Sequence, residues 1–308
     1  MVNKTRFNTK GSLMFTRLQI LLFSALILVT NPVISAVQAN YKVENIKDNV
    51  YRFTAGHYHS AFMIVDNLAL VTDPINSDAA KYLKRYIKKT FNADIKYMLY
   101  SHSHVDHAMG GNELIDTNTT VVAHQFAAED LKLNKVPTAL PDLTFTDTLK
   151  VDLGDSYVQL NYYGPNNGRG NVSMRFMPAN VLYVVDWIVL GRMPYKNLIG
   201  YDINGMLHST KAVLNEPAFA AFIGGHADTG NRDDVVSYLH YIEDLHTAVR
   251  DGMLKGKNLA TLQKEISLPQ YSHLKMYQQW LPLNIEGVYN NLVEMGYFNF
   301  RSDIDAQF

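Results

Sequence analysis

Cysteine is absent from all 308 residues, so no disulfide can staple the fold and no thiolate can act as nucleophile or metal ligand. Neither sign of charge dominates. The 28 basic side chains face 29 acidic ones, which leaves no electrostatic footprint for nucleic acid or an anionic membrane surface. Internal repeats and low-complexity tracts are also missing. Hydrophobic residues make up 47% of the chain, enough to bury a sizeable core in one domain or two fused half-domains.

Long apolar runs are confined to the N-terminus. Lys4, Arg6, Lys10 and Arg17 precede an apolar stretch over residues 18–29, followed by Pro32 and the small-residue site Val37, Gln38, Ala39. That order is the pattern of a secretory signal peptide. The stretch is shorter than the roughly 20 residues a membrane span needs, although an uncleaved anchor is the alternative. Residues 1–39 are therefore read as a signal peptide. Residues 40–308 are read as one domain with a C-terminal helical extension from about residue 255, periplasmic or secreted and free of the membrane once cleaved.

What the chain does have is a dense donor cluster. His102, His104, Asp106 and His107 place three imidazoles and a carboxylate within six residues, a concentration suited to metal binding. A solvated, histidine-rich loop is the plainer alternative. Residues 94–100 ahead of the cluster alternate like a strand, and Gly110 and Gly111 behind it allow a close turn. His102 and His104, two apart, project to one side of an extended segment. The following turn swings Asp106 and His107 towards a second point, so one segment can serve two metals, which in two-metal sites lie about 3.5–4 Å apart.

Elsewhere, strands are expected over residues 50–54, 61–65, 68–72, 119–123, 149–153, 157–163, 172–177, 181–185 and 220–223. Helices are expected after Ser77 as N-cap and over residues 127–133, 204–214 and 233–253. Two successive blocks of strands followed by helices favour a sheet-on-sheet core with outer helices.

The segment from His102 to His107 resembles the H-x-H-x-D-H signature of the metallo-β-lactamase superfamily, and later segments match its remaining motifs in order. Residues 162–171 resemble its glycine-rich turn, residues 181–186 the strand ending in a bridging aspartate, and residues 222–226 the strand ending in Gly-His. Within the superfamily, residues 58–62, 184–186 and 280–284 look like a group of exported hydrolases. The resemblance covers most of residues 50–250. It implies an α/β (α+β) fold, a four-layer αββα sandwich, with the site in loops at one edge of the sheets. It also implies a first metal on His102 and His104, and a second on Asp106, His107 and His226 with Asp186 bridging. The superfamily's cysteine-ligated lactamases are excluded.

One position departs from the pattern: Asn167 stands where a third histidine ligand of the first metal is expected. A neutral amide is a weaker zinc donor than imidazole. Losing even an outer partner of a ligand costs about 10–100-fold in metal affinity, so the expectation is one tightly held Zn2+ and a weakened second site. His57 and His59, in the loop after the first strand, are candidate replacements, His59 being the better placed, unless they are simply exposed. Asp73 is expected to brace the metal loop, and His124 to make a structural hydrogen bond near a helix start. His240, His246 and His273 read as solvated or packing residues. Trp187, Arg192 and Tyr195 lie in a long aromatic segment expected to wall a substrate pocket, where Arg192 either meets an anionic group or is plain surface.

These residues imply a zinc-dependent hydrolase that turns a metal-activated water on an ester, thioester, lactone or amide bond of a small-molecule substrate, with Asp106 or Asp186 accepting the proton. Without a first metal, His102 and His104 would hold water or polarise the substrate. The rivals are a non-catalytic metal- or ligand-binding member of the fold, motivated by Asn167, and a β-lactamase, for which no carboxylate clamp is visible. Mass spectrometry of protein recovered from the periplasm should find a chain starting at or near Asn40; an intact Met1 start on a cytosolic product would contradict export.

Overall fold

A computed structural model describes residues 40–296; the signal-peptide reading of residues 1–39 lies outside the described residues. Strands β1 (Tyr41–Lys47), β2 (Val50–Ala55), β3 (Tyr58–Val65), β4 (Leu68–Thr72), β5 (Asp94–Leu99), β6 (Thr120–His124) and β7 (Leu143–Phe145) form one sheet in chain order. The first four run antiparallel and the last four parallel. Connection length explains the change. Asp48 and Asp66 adopt left-handed φ values of 49° and 52° in tight turns that can only reverse the chain. Between β4 and β5, helix α1 (Ser77–Phe91) carries it back to start a parallel neighbour. Asn76, rather than Ser77, caps α1, its side chain accepting from the backbone N–H groups of Asp78 and Ala79.

The second sheet contains β8 (Thr148–Leu153), β9 (Ser156–Asn161), β10 (Ser173–Met177), β11 (Val181–Val184) and β12 (Ala221–Gly224). It is an antiparallel meander up to β11, with β12 returning parallel through α4 (Ile203–Asn215). In β8, Val151 and Leu153 are buried while Thr148, Lys150 and Asp152 are exposed, the period-two pattern of a strand with one wet face.

Three apolar clusters show the layering. Met63, Leu70, Leu99 and Val122 of the first sheet meet Val158, Leu160, Phe176 and Ile223 of the second. Helices α1 and α3 (Gln125–Leu133) cover the outer face of the first sheet through Leu83, Ile87 and Leu131. The second sheet's outer face is covered by α4, α5 (Arg232–Leu254), α6 (Leu259–Glu265) and α7 (Tyr277–Glu294). The result is the four-layer αββα sandwich that the resemblance implies. No helix of the described residues is long and apolar enough to cross a membrane.

Two strands escape the sequence reading. The expected first strand, over residues 50–54, is preceded by β1, and β7 spans only three residues, too few to show an alternation.

The C-terminal ends of β4, β5, β11 and β12 lead into Asp73, His102, Asp186 and His226 respectively, so both sheets deliver side chains to one edge. Asp73 joins them. Its fully buried carboxyl accepts from the Ser101 backbone N–H at 2.8 Å and from the Tyr183 hydroxyl at 2.7 Å, tying the β5 exit to β11 in the opposite sheet. Gly225 permits the closest approach of β12, since a β-carbon there would lie 2.6 Å from Val185 Cγ1 and 3.0 Å from His107 Cε1. Tyr183→Phe leaves one buried oxygen of Asp73 short of its donor and should destabilise the fold by about 1–3 kcal/mol, read as a lower denaturant midpoint. An unchanged midpoint would show that the brace contributes nothing to the fold.

Candidate metal centre

Strand β5 gives way after Leu99 to an extended run through His102, and His104 (φ −65°, ψ 139°) caps the single-turn helix α2 (Val105–Ala108). The change of backbone splits the motif. His102 and His104 group with Asp186, while Asp106 and His107 group with His226, the donor atoms of each trio lying within 4.8 Å of one another.

Asp186 links the two groups. Its Oδ2 lies 3.1 Å from His102 Nε2 and 3.6 Å from His104 Nδ1, and its Oδ1 lies 3.0 Å from His226 Nε2 and 3.7 Å from His107 Nε2. Asp106 Oδ2 adds a contact of 3.4 Å to His226 Nε2. Asp186 reaches this position with a left-handed φ of 71°, a backbone conformation that costs about 1–3 kcal/mol and persists where surroundings over-determine it.

Charge is distributed unevenly. Burial alone would raise the Asp186 carboxyl, yet the surrounding imidazoles hold it well below the usual carboxylate range. Burial pushes His107 down to about 3, leaving it neutral and ready to ligate. His226 goes the other way: burial opposes its charge, but hydrogen bonds to Asp106 and Asp186 outweigh that and raise it to about 9. Nε2 of His226 also lies 2.8 Å from Nε2 of His107, so the two imidazole nitrogens and both carboxylates crowd one point.

The donor set fits a metal ion. Asn167 Oδ1 and His107 Nδ1 are buried and lack a hydrogen-bond partner, and a buried carboxylate ringed by imidazole nitrogens leaves acceptor capacity that a cation would take up. His226 is oriented from behind, its Nδ1 lying 3.3 Å from the His57 carbonyl oxygen, the outer contact typical of a ligating imidazole.

The turn after β9 brings Asn167 into a cavity of about 410 Å³ whose walls include His104, Asp186, Arg192 and Tyr195. Two residues expected at the site sit elsewhere. His59 is not a replacement ligand, because it faces Thr54 across the β2–β3 pair and its Nδ1 lies 2.9 Å from Thr54 Oγ1. Burial pushes its imidazole down to about 4, and His57 is the loop histidine that lines the cavity. Trp187 is not a pocket wall, since its side chain is fully buried among the apolar residues under the second sheet's helices. Tyr58 and Tyr201 line the cavity without having been anticipated; Tyr58 lies edge-on to His226 at 5.1 Å. No periodic or motif signal marks Tyr201, whereas Tyr58 opens the 58–62 segment that resembles the exported hydrolases.

His124 makes the structural contacts expected of it, Nδ1 accepting from the Phe126 N–H and Nε2 lying 2.8 Å from the Thr146 carbonyl oxygen. His240 is exposed on α5. His273 is exposed too, but in the turn ahead of α7 rather than in a helix.

A metal entering between Asp106, His107 and His226 must displace the proton that His226 retains up to about pH 9, while neutral His107 demands no such release. Apparent zinc affinity should therefore rise about tenfold per pH unit between about pH 6 and 8 for that one proton. Calorimetry in buffers of differing ionisation heat counts the protons; uptake without proton release would contradict this charge distribution.

Residues 54–226 match the family model of the metallo-beta-lactamase superfamily. A metallo-beta-lactamase from Pontibacter korlensis superposes with a TM-score of 0.60 at 16% identity, over 67% of this chain and 100% of that one. The DIM-1 metallo-beta-lactamase does so with a TM-score of 0.57 at 19% identity, over 66% and 97%. A curated relative, the 2,4-dinitroanisole O-demethylase subunit alpha of Nocardioides sp. (strain JS1661), is 24% identical over 160 residues, 51% of this chain and 48% of that protein. The chain thus spans about half the length of that relative. The family match runs from the end of β2 through His226 and takes in every donor of both trios, and on this ground the chain belongs to the metallo-beta-lactamase superfamily.

Proposed function

We propose that the chain is a metal-dependent hydrolase, acting outside the cytoplasm after loss of residues 1–39, with one zinc held tightly by Asp106, His107, His226 and Asp186. The observation that carries this reading is the pair of donor trios joined through Asp186, one built only from imidazole and carboxylate and the other bordered by an amide. Asp106, His107 and His226 with a position left for water match the pattern of catalytic zinc, Asp186 being the bridging or extra ligand. When bound, zinc polarises a carbonyl oxygen and lowers the pKa of water from 15.7 towards about 7.

The chain's own residues then divide the work. Asp186, 6% exposed and surrounded by imidazoles, is a ligand and a poor proton acceptor. Asp106 is a ligand too, but being 42% exposed and lining the cavity it is the carboxylate whose second oxygen can take a proton and release it to solvent. His102 and His104, with Asn167 beside them, orient the substrate or hold a second, weaker metal. A small ester, thioester, lactone or amide suits a cavity of this size.

A second reading, cleavage of an activated aryl ether, is favoured by the walls contributed by Tyr58, Tyr195 and Tyr201 and by the relative named for O-demethylation of 2,4-dinitroanisole.

Zinc-loaded protein assayed on 4-nitrophenyl acetate, a butyryl thioester, a γ-lactone, nitrocefin and 2,4-dinitroanisole tests these readings together. Turnover should be zinc-dependent on at least one acyl compound. Asp106→Ala, His107→Ala and His226→Ala should each lower it by at least 100-fold and lose the tight zinc, with His240→Ala unchanged. Tight zinc without turnover of any compound would favour a non-catalytic binding protein, and turnover of 2,4-dinitroanisole alone would favour ether cleavage. Asn167→His should raise zinc content from about one towards two per chain, read by elemental analysis after dialysis.

A further inference from the structure

The turn that carries Asn167 is one half of a small two-stranded ladder. Asn167 is the antiparallel bridge partner of Tyr201, the Gly168 N–H donates to the Gly200 carbonyl at 3.0 Å, and the Asp202 N–H donates to the Asn166 carbonyl at 2.7 Å. Successive residues of such a ladder point to opposite faces. Asn167 lines the metal cavity, whereas Asn166, Gly168, Gly200 and Asp202 line a second cavity of about 430 Å³. Tyr201 and Ile199 border both, and Ile199 is 80% exposed where the two meet.

Helix α7 supplies the other wall of the second cavity. Asn291 fastens the ladder to that helix, its Nδ2 donating to the Tyr201 carbonyl at 2.7 Å and its Oδ1 accepting from the Ile203 N–H at 3.0 Å. Gly287 lets the loop press close, since a β-carbon there would lie 2.5 Å from the Asn197 carbonyl oxygen. The frame is thus held by side chains that have no further bonding to offer, while other side chains of the lining are uncommitted. Among the described residues, Asn197, Asn290 and Glu294 make no side-chain hydrogen bond or ion pair. Arg169 borders the same cavity but is engaged elsewhere, with Asp130 at 2.7 Å and Glu129 at 3.0 Å. Asp202 and Glu294 add carboxylates, so the cavity is unsuited to an anion. Two free amides, each carrying donors and an acceptor, beside a carboxylate suit adjacent hydroxyls, which donate and accept at once.

We propose that the second cavity binds a polyhydroxylated group, such as a sugar, through Asn197, Asn290 and Glu294, and that this group is the distal part of a molecule that passes over Ile199 to place its cleavable bond in the metal cavity. The link to a cleavable bond rests on the hydrolase reading; the sugar site stands on the second cavity alone.

Maltose tests the site, with tetraethylene glycol as a flexible control that lacks adjacent hydroxyls. Ligand-observed NMR titration of the zinc-loaded protein should give maltose at least tenfold tighter binding than the glycol. Asn197→Ala and Asn290→Ala should each weaken maltose by about two- to tenfold, the range for one lost hydrogen bond, with zinc content unchanged and the unfolding midpoint not lowered. Glu294→Gln, which keeps a planar acceptor, should retain most of the affinity. No maltose binding at tens of millimolar, equal binding of the two probes, or maltose binding indifferent to both alanine substitutions would overturn the proposal. So would putrescine binding more tightly than maltose and losing that binding in Glu294→Gln, which would make the cavity a cation site. For the link to the metal cavity, 6-O-butyrylglucose should be hydrolysed with at least tenfold higher kcat/KM than ethyl butyrate, the advantage lying in KM and shrinking in Asn197→Ala; equal turnover of the two esters overturns that link. Failure of the hydrolase reading would appear separately, as maltose binding without turnover of any acyl compound.

Discussion

A single carboxylate, that of Asp186, gathers donors from both halves of the sandwich. Its two oxygens lie within 3.0–3.7 Å of four imidazoles, three from the loop after β5 and one from the end of β12. The backbone bears a left-handed φ to put it there, and the attraction between a desolvated carboxylate and surrounding imidazoles offsets that strain. Without it the donors of the first sheet would have no charge to converge upon. The same convergence raises the His226 imidazole, because the Asp106 and Asp186 carboxylates favour its charged form.

Asymmetry between the two donor trios follows from one side chain. Asp106, His107 and His226 are imidazole and carboxylate donors, whereas His104 shares its cavity with Asn167, an amide whose oxygen is buried and unpartnered. An amide oxygen is a poorer partner for zinc than an imidazole and a better one for a hydrogen-bond donor. On the proposed reading, that difference weakens zinc at the first site and leaves its side chains to orient substrate beside a metal held next door.

The donor cluster was legible because four ligands share six residues, and a strand–turn–helix reading of that segment already separates them into two groups. Asp186 and His226 are distant in sequence, and only their place in a recognised motif order revealed them. Where the reading failed, local geometry overrode position in the chain. The register of β2 against β3 pairs His59 with Thr54, so the imidazole next to the expected site turns to a threonine hydroxyl. After the left-handed turn at Asp186 the chain buries Trp187, the first residue of a segment expected to wall the substrate pocket. Tyr58 and Tyr201 reach the cavity through tertiary placement, which no spacing encodes. The layers themselves were easier, since period-two strands such as β8 and amphipathic helices such as α1 carry their buried face in the sequence.

The unequal pair of sites is the point on which the functional reading turns, and zinc-edge anomalous diffraction from crystals grown with one equivalent of zinc tests it directly. One dominant peak surrounded by Asp106, His107, His226 and Asp186 is the expected result. A peak of equal or greater height among His102, His104 and Asn167 would contradict it.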